Sequence, residues 1–373
     1  NGSTSTGVAG QTFTLTTGVD QGAAFVGTAN NDLFSAVEVQ VAGVATSVWT
    51  AGDKIDGGVG SDTFSVTQAA AISAPVGATV TNIETANLVS AAGVSVDAST
   101  WSGLTSLNAT AGGVTSLTSS NTTDITATSS TSGAAKTLTI DGGKSVTSTL
   151  TATDGAGVAL LGAVNIGQTT VSAGTVTLTD TETLTTTNSA ASNVKITATT
   201  GATVNRTVND SIALSANAGA QTADKAGLIT VSSASGDIVV NDATVIKSTT
   251  TISTVADKIS VTGGSSVNVT ESASANQAAT GISSITFGDV GVTGGANTTT
   301  VTVTQGAVAT GSLVVAAVDA IAPVNQIKSV TAVAGVKGTG AVTQVTGAAA
   351  VVAVPTGTPT VTADGAVTIT DKN

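Results

Sequence analysis

Residues 52–66 read Gly-Asp-Lys-Ile-Asp-Gly-Gly-Val-Gly-Ser-Asp-Thr-Phe-Ser-Val, and Gly57 to Ser65 fits the nine-residue pattern G-G-x-G-x-D-x-U-x, with U a large apolar residue. Each position has a chemical task. Gly57, Gly58 and Gly60 permit a tight turn whose backbone carbonyls can face a cation. Asp62 supplies a hard carboxylate oxygen, the ligand type that calcium prefers. Phe64 turns inward on a short strand, while Thr63 and Ser65 point outward.

The pattern recurs in phase. Nine residues earlier, Val48 to Asp56 puts Asp53 and Ile55 at the aspartate and apolar positions. Earlier still, Gly27 to Ser35 does the same with Asp32 and Phe34, and Asn30 stands for the third glycine as a residue tolerant of left-handed backbone. Residues 36–47 read as an insertion between these units. One nonapeptide is half a turn of a parallel β-roll, so the units at 27–35 and 57–65 are expected to stack on one side and 48–56 to lie on the other. The expected calcium-binding set is Gly27, Asn30, Asp32, Asp53, Asp56, Gly58, Gly60 and Asp62.

Residues 12–110 resemble the RTX-type S-layer proteins of Gram-negative bacteria. The resemblance rests on Thr12-Phe13-Thr14-Leu15-Thr16-Thr17-Gly18-Val19-Asp20, Gly27-Thr28-Ala29-Asn30-Asn31-Asp32 and Asp53-Lys54-Ile55-Asp56-Gly57-Gly58. It continues in Val80-Thr81-Asn82-Ile83-Glu84-Thr85-Ala86-Asn87-Leu88 and Trp101-Ser102-Gly103-Leu104-Thr105-Ser106-Leu107. Gly22 to Ala24 depart from it as an insertion. The resemblance implies a secreted cell-surface protein, exported in one step (type I), that self-assembles into a calcium-dependent lattice. A calcium-rigidified adhesin or extracellular fibre, with cell-surface polysaccharide as its partner, is the alternative.

Composition bounds the chemistry. The 373 residues contain no histidine, cysteine, methionine or tyrosine, so the usual general bases and most nucleophiles are missing. Charged residues make up 9% and aromatics 2%, against 40% hydrophobic, which describes narrow cores filled by small and branched side chains. The net charge of -12 argues against nucleic-acid binding. Residues 1–62 alone hold six acids against Lys54, a cluster that repels itself unless cations neutralise it. No apolar run is long enough to span a membrane. The chain opens on Asn1 without a signal-peptide pattern and reads as part of a longer one.

The elements that must position these residues are strands. Thr12 to Thr17 should be the first, with Phe13 and Leu15 inward, and Phe13, Phe25, Phe34 and Phe64 should form the core of a calcium-binding β-roll over 1–66. Residues 68–76 read as a connector. Short Thr/Val-rich strands bounded by Gly, Ser, Asn or Asp then recur over 67–373, as in a β-solenoid whose rungs stack in parallel, possible subdivisions falling near 155 and 290. The expected fold is thus all-β, with β-sandwich modules in the second part as the alternative. Only Ser215 to Ala226 and Ser272 to Ala279 are helical candidates. Asp180 and Glu182 share a strand face and are expected to form an exposed acidic patch rather than a glycosidase pair, and Arg206 is the chain's sole arginine. The protein is therefore expected to be a structural homo-oligomer, not an enzyme.

Overall fold

Alternation of apolar and small polar residues gives strands with one dry face and one wet face. The computed structural model describes residues 10–132, 137–154, 163–168, 174–185, 191–210, 221–222, 227–246, 252–275, 284–286, 288–308, 325–333, 341–346, 360–362 and 367–370. Among these the regular elements are strands and one short 3-10 turn, Gly22–Phe25, and the fold is all-β. The chain forms two compact units, Asn1–Ser130 with Thr139–Ser148, and Thr131–Leu138 with Thr149–Asn373.

In the first unit, Thr12–Thr14, Leu33–Val37, Thr63–Gln68, Thr85–Ser90, Ser106–Ala111 and Asp124–Ser132 pair in that order, all parallel. A parallel neighbour requires the chain to circle back between strands. The returning paths build a second ladder from Ile72–Ser73, Val94–Asp97 and Thr115–Ser119, and a short one from Lys54–Asp56 and Thr79–Thr81. The long sheet runs unbroken past residue 66, and Ile72–Ser73 gives the expected connector a strand of its own. Register lines up Phe34, Phe64, Ala86, Leu107 and Ile125 as one buried row. The aromatics divide into two groups: Phe13 stacks on Phe34 at 4.6 Å, while Phe64 meets Trp49 and Trp101 at 5.2 and 6.0 Å. Phe25 lies in the 3-10 turn, half-buried.

The second unit is a three-faced coil. One face stacks Val176–Leu184, Ala202–Asp210, Asp237–Ile246, Ser266–Ala275 and Thr300–Val308 in parallel. A second stacks Ala163–Gly167, Asn193–Ala198, Leu228–Ser233, Lys258–Gly263, Val290–Thr293 and Val367–Thr370. The third, shorter, holds Gln221–Thr222, Ile252–Val255, Ser284–Thr286 and Thr360–Thr362. Asn325–Val333 and Ala341–Thr346 extend the first face antiparallel. A β-sandwich would need antiparallel neighbours throughout, so the solenoid alternative is the one adopted. Rows such as Leu178, Val204, Val240, Val269 and Val303 fill the interior, which explains the preference for Val over larger residues.

The sequence reading needs correcting at both helical candidates: within Ser215 to Ala226, Gln221–Thr222 is a strand paired with Ile252 and Ser253. Ser272 to Ala275 complete a strand, because their neighbours Ala243 to Ile246 and Gly306 to Val308 are already extended and in register. Residues 276–279 and most of 215–226 lie outside the described residues.

Candidate cation-binding turns and a buried ion column

The glycine turns stack as their phase requires. Leu33–Val37 and Thr63–Gln68 pair Phe34 with Phe64, which sets Asp32 beside Asp62. Gly58, at φ 84°, lies against the carbonyls of Gly27 and Thr28, and Gly60 against that of Asn30. Only a residue without Cβ fits either place. Asn30 is not left-handed; its amide is held by the Thr28 hydroxyl at 3.1 Å instead, and Asn82, at φ 52°, is the asparagine that adopts that backbone.

The carboxylates form ladders that cap backbone amides on the rung before. Asp32 accepts the amides of Gln11 at 2.6 Å and Thr28 at 2.5 Å, Asp62 accepts that of Asp32 at 2.6 Å, and Glu84 accepts that of Asp62 at 2.6 Å. On the other side, Asp20 takes the Thr16 amide at 2.6 Å, and Asp53 takes those of Asp20 at 2.8 Å and Thr50 at 2.6 Å. Charge-assisted bonds of this kind are among the stronger ones in proteins. Asp20 and Glu84 thus join the machinery as equal members. Glu84 could have been found from its place 22 residues after Asp62, one rung on.

Whether calcium fits is decided oxygen by oxygen. Both oxygens of Asp32 and of Asp53 are occupied by amides and hydroxyls. Asp56, half-buried, accepts the Gly58 amide at 3.1 Å and the Asn82 side-chain amide at 2.8 Å, both at Oδ1. Asp62 differs: it is fully buried, and its Oδ2 has no partner. Burial raises its pKa, the negative charges of Glu84, Asp32 and Asp56 add to the rise, and the Asp32 amide opposes it. Among the described residues no three carboxylates stand at metal-ligand spacing. Backbone oxygens of the glycine turns therefore have to supply most of a calcium shell, a mixture calcium accepts. Asp62 Oδ2 is the one buried carboxylate oxygen of these turns left without a partner, and Asp53 serves as a cap in a separate ladder.

A second concentration of charge lies inside the coil. Asp180, Arg206, Asp242 and Glu271 occupy one register row on four adjacent strands, all pointing inward. Arg206 contacts Glu182 at 3.0 Å, Asp257 at 3.0 Å and Asp180 at 3.8 Å. Glu182 also accepts the Ser192 amide at 2.9 Å and the Ser192 hydroxyl, Asp257 the Gly227 amide at 2.5 Å, and Glu271 the Gly288 amide at 2.8 Å. The expected exposed patch at Asp180 and Glu182 is thus corrected: both are fully buried, because the inward alternation of their strand carries them beside Arg206. Burial there removes them from any polysaccharide. On the outward side of these strands, Thr179, Asn205, Asn241 and Thr270 line up around a depression of about 200 Å3, with Asn241 donating to Asn205 at 2.8 Å. No family model matches the chain, and no curated protein is significantly similar to it.

Proposed function

We propose that this chain is a calcium-stabilised structural protein of the bacterial cell surface, exported and then assembled with copies of itself into an S-layer. The observation that carries the reading is the unpartnered Asp62 Oδ2, buried at the aspartate position of the one full nonapeptide and flanked by Glu84, Asp32 and Asp56. A cation bound there with the turn carbonyls would neutralise acids that otherwise repel, so binding free energy becomes folding free energy. In a low-calcium cytoplasm the same acids keep the turns loose, which suits export of an unfolded chain. Electron microscopy with calcium and then with chelator tests assembly directly. Flat crystalline sheets that dissolve on chelation support the reading; soluble monomers in both conditions overturn it.

The alternative, an adhesin or biofilm fibre, draws on the outward depression at Thr179 and Asn241. Its hydroxyls and amides are the groups that bind sugar hydroxyls, although no aromatic platform accompanies them. Filaments in the microscope, or glycan binding without self-assembly, would favour it. Asp62→Asn separates the metal question from assembly. It should abolish most of the calcium-dependent rise in unfolding midpoint, while Asp97→Asn, at a strand end elsewhere in the same unit, should leave the rise intact. Equal responses of the two variants would remove calcium from the Asp62 turn.

A further inference from the structure

Four carboxylates surround one guanidinium in the interior of the second unit, Asp180, Glu182, Asp242 and Asp257 around Arg206, and a fifth, Glu271, lies beyond Asp242 in the same row. Glu182 and Asp257 pair with Arg206 and cap amides, and Glu271 caps Gly288. Asp180 and Asp242 accept no hydrogen bond at either oxygen. An ionised carboxylate so placed costs several kcal/mol that one shared arginine cannot recover. A metal ion is a poor neutraliser here, because Arg206 occupies the rung between the two aspartates and no three carboxylates of the described residues converge.

We propose that Asp180 and Asp242 each hold a proton in the folded protein, and that their ionisation loosens the three-faced coil. The groups facing Asp242 are Arg206 and Glu271 on the neighbouring strands, Asp257 at the turn before Lys258–Gly263, and Asp180 two strands away. Asp180 faces Glu182, Arg206 and Asp257. Burial pushes both aspartates well above the ordinary carboxylate value, the negative neighbours push further, and Arg206 pulls back without reversing the rise. The linkage has the opposite sign from that of ordinary capping acids. Folded Asp180 and Asp242 keep protons that the unfolded chain gives up above pH ~4. Their contribution to stability is therefore complete below that pH and is lost as pH climbs through the raised folded values. This device stands independently of calcium and of the S-layer reading.

Hydrogen–deuterium exchange of the full chain tests it on peptides covering 202–210 and 237–246, with protection corrected for the pH dependence of intrinsic exchange. Between pH 5 and 8 the wild-type protection should fall about tenfold per pH unit for each proton released. The Asp180→Asn, Asp242→Asn double variant, which keeps shape and removes the titration, should hold its protection nearly constant. Constant or rising wild-type protection overturns the proposal, as does an unchanged slope in the variant. Calcium or magnesium that restores the pH 5 protection at pH 8 also overturns it, in favour of a cation. Should the variant fail to fold, infrared spectroscopy of the wild type decides: the carbonyl band of protonated carboxyls should be present in the folded protein at pH ~5, above the ordinary carboxylate value, and shrink on unfolding, and its absence from the folded protein defeats the proposal.

Discussion

At Gly57 an added Cβ would run into the Asn82 carbonyl on the next rung and lie 2.8 Å from Asp62 Oδ2, whereas at Gly167 it would meet nothing within 4 Å. Gly57→Ala should therefore cost about 1–3 kcal/mol in urea unfolding, and Gly167→Ala less than about 0.5 kcal/mol. Asp53→Ala strips the acceptor from two amides, those of Asp20 and Thr50, and should cost about 2–4 kcal/mol. Asp53→Asn, which keeps one oxygen, should cost less in the same measurement. Asp32 gives the first unit an ordinary acid sensitivity. Burial pushes its pKa up, but the Gln11 and Thr28 amides and the Thr28 hydroxyl outweigh burial and hold it below the usual value. That contribution is complete above the unfolded pKa and is lost as pH falls through the folded one, so Asp32→Asn should flatten the acid limb of a pH–stability curve. Position by position, the glycines at 57–60 were legible because only a residue without Cβ serves so crowded a turn. The capping use of Asp32 and Asp53 was not, since a carboxylate aimed at an amide and one aimed at a cation look alike in sequence.

Of the insertion expected at 36–47, Ala36 and Val37 finish the long-sheet strand Leu33–Val37, and 39–46 fold as an element of their own. Val39–Val41 and Val44–Thr46 pair antiparallel around Ala42 and Gly43, at φ 50° and 79°, a two-residue hairpin loop with both centres left-handed. Ala42 is strained there, and Ala42→Asn should slow exchange of the hairpin amides by roughly 2–5-fold without moving the global midpoint. Val39, Val41 and Val44 stay exposed on this projection. Element periodicity explains what the sequence concealed. In the row that carries the buried ions, equivalent residues are 26, 36 and 29 positions apart, from Asp180 to Arg206 to Asp242 to Glu271. Variable connections absorb the difference, so no fixed period links these four residues, and each looks like a surface charge on its own. In the first unit the nine-residue phase aligns Asp32 with Asp62 once the insertion at 36–47 is set aside.

At the scale of the molecule, both tryptophans, the buried Trp49 and the half-buried Trp101, belong to the first unit and sit 5.9 Å apart. Tryptophan fluorescence therefore reads that unit alone, whereas far-ultraviolet circular dichroism reads every strand. Calcium should shift the fluorescence-detected urea midpoint upward and leave a portion of the dichroism transition unmoved. Coincident shifts by both probes would mean that the two units unfold as one. The parallel pairing has a mechanical consequence as well. In the second unit each rung is bonded only to the rungs before and after it, so a pull that separates the two ends loads one ladder at a time and not all of them together. Such a coil should yield by unzipping in a series of small steps, each freeing one circuit of 26–36 residues, roughly 90–130 Å of extended chain. A layer built from it would stretch and recover circuit by circuit where a single cooperative domain would snap.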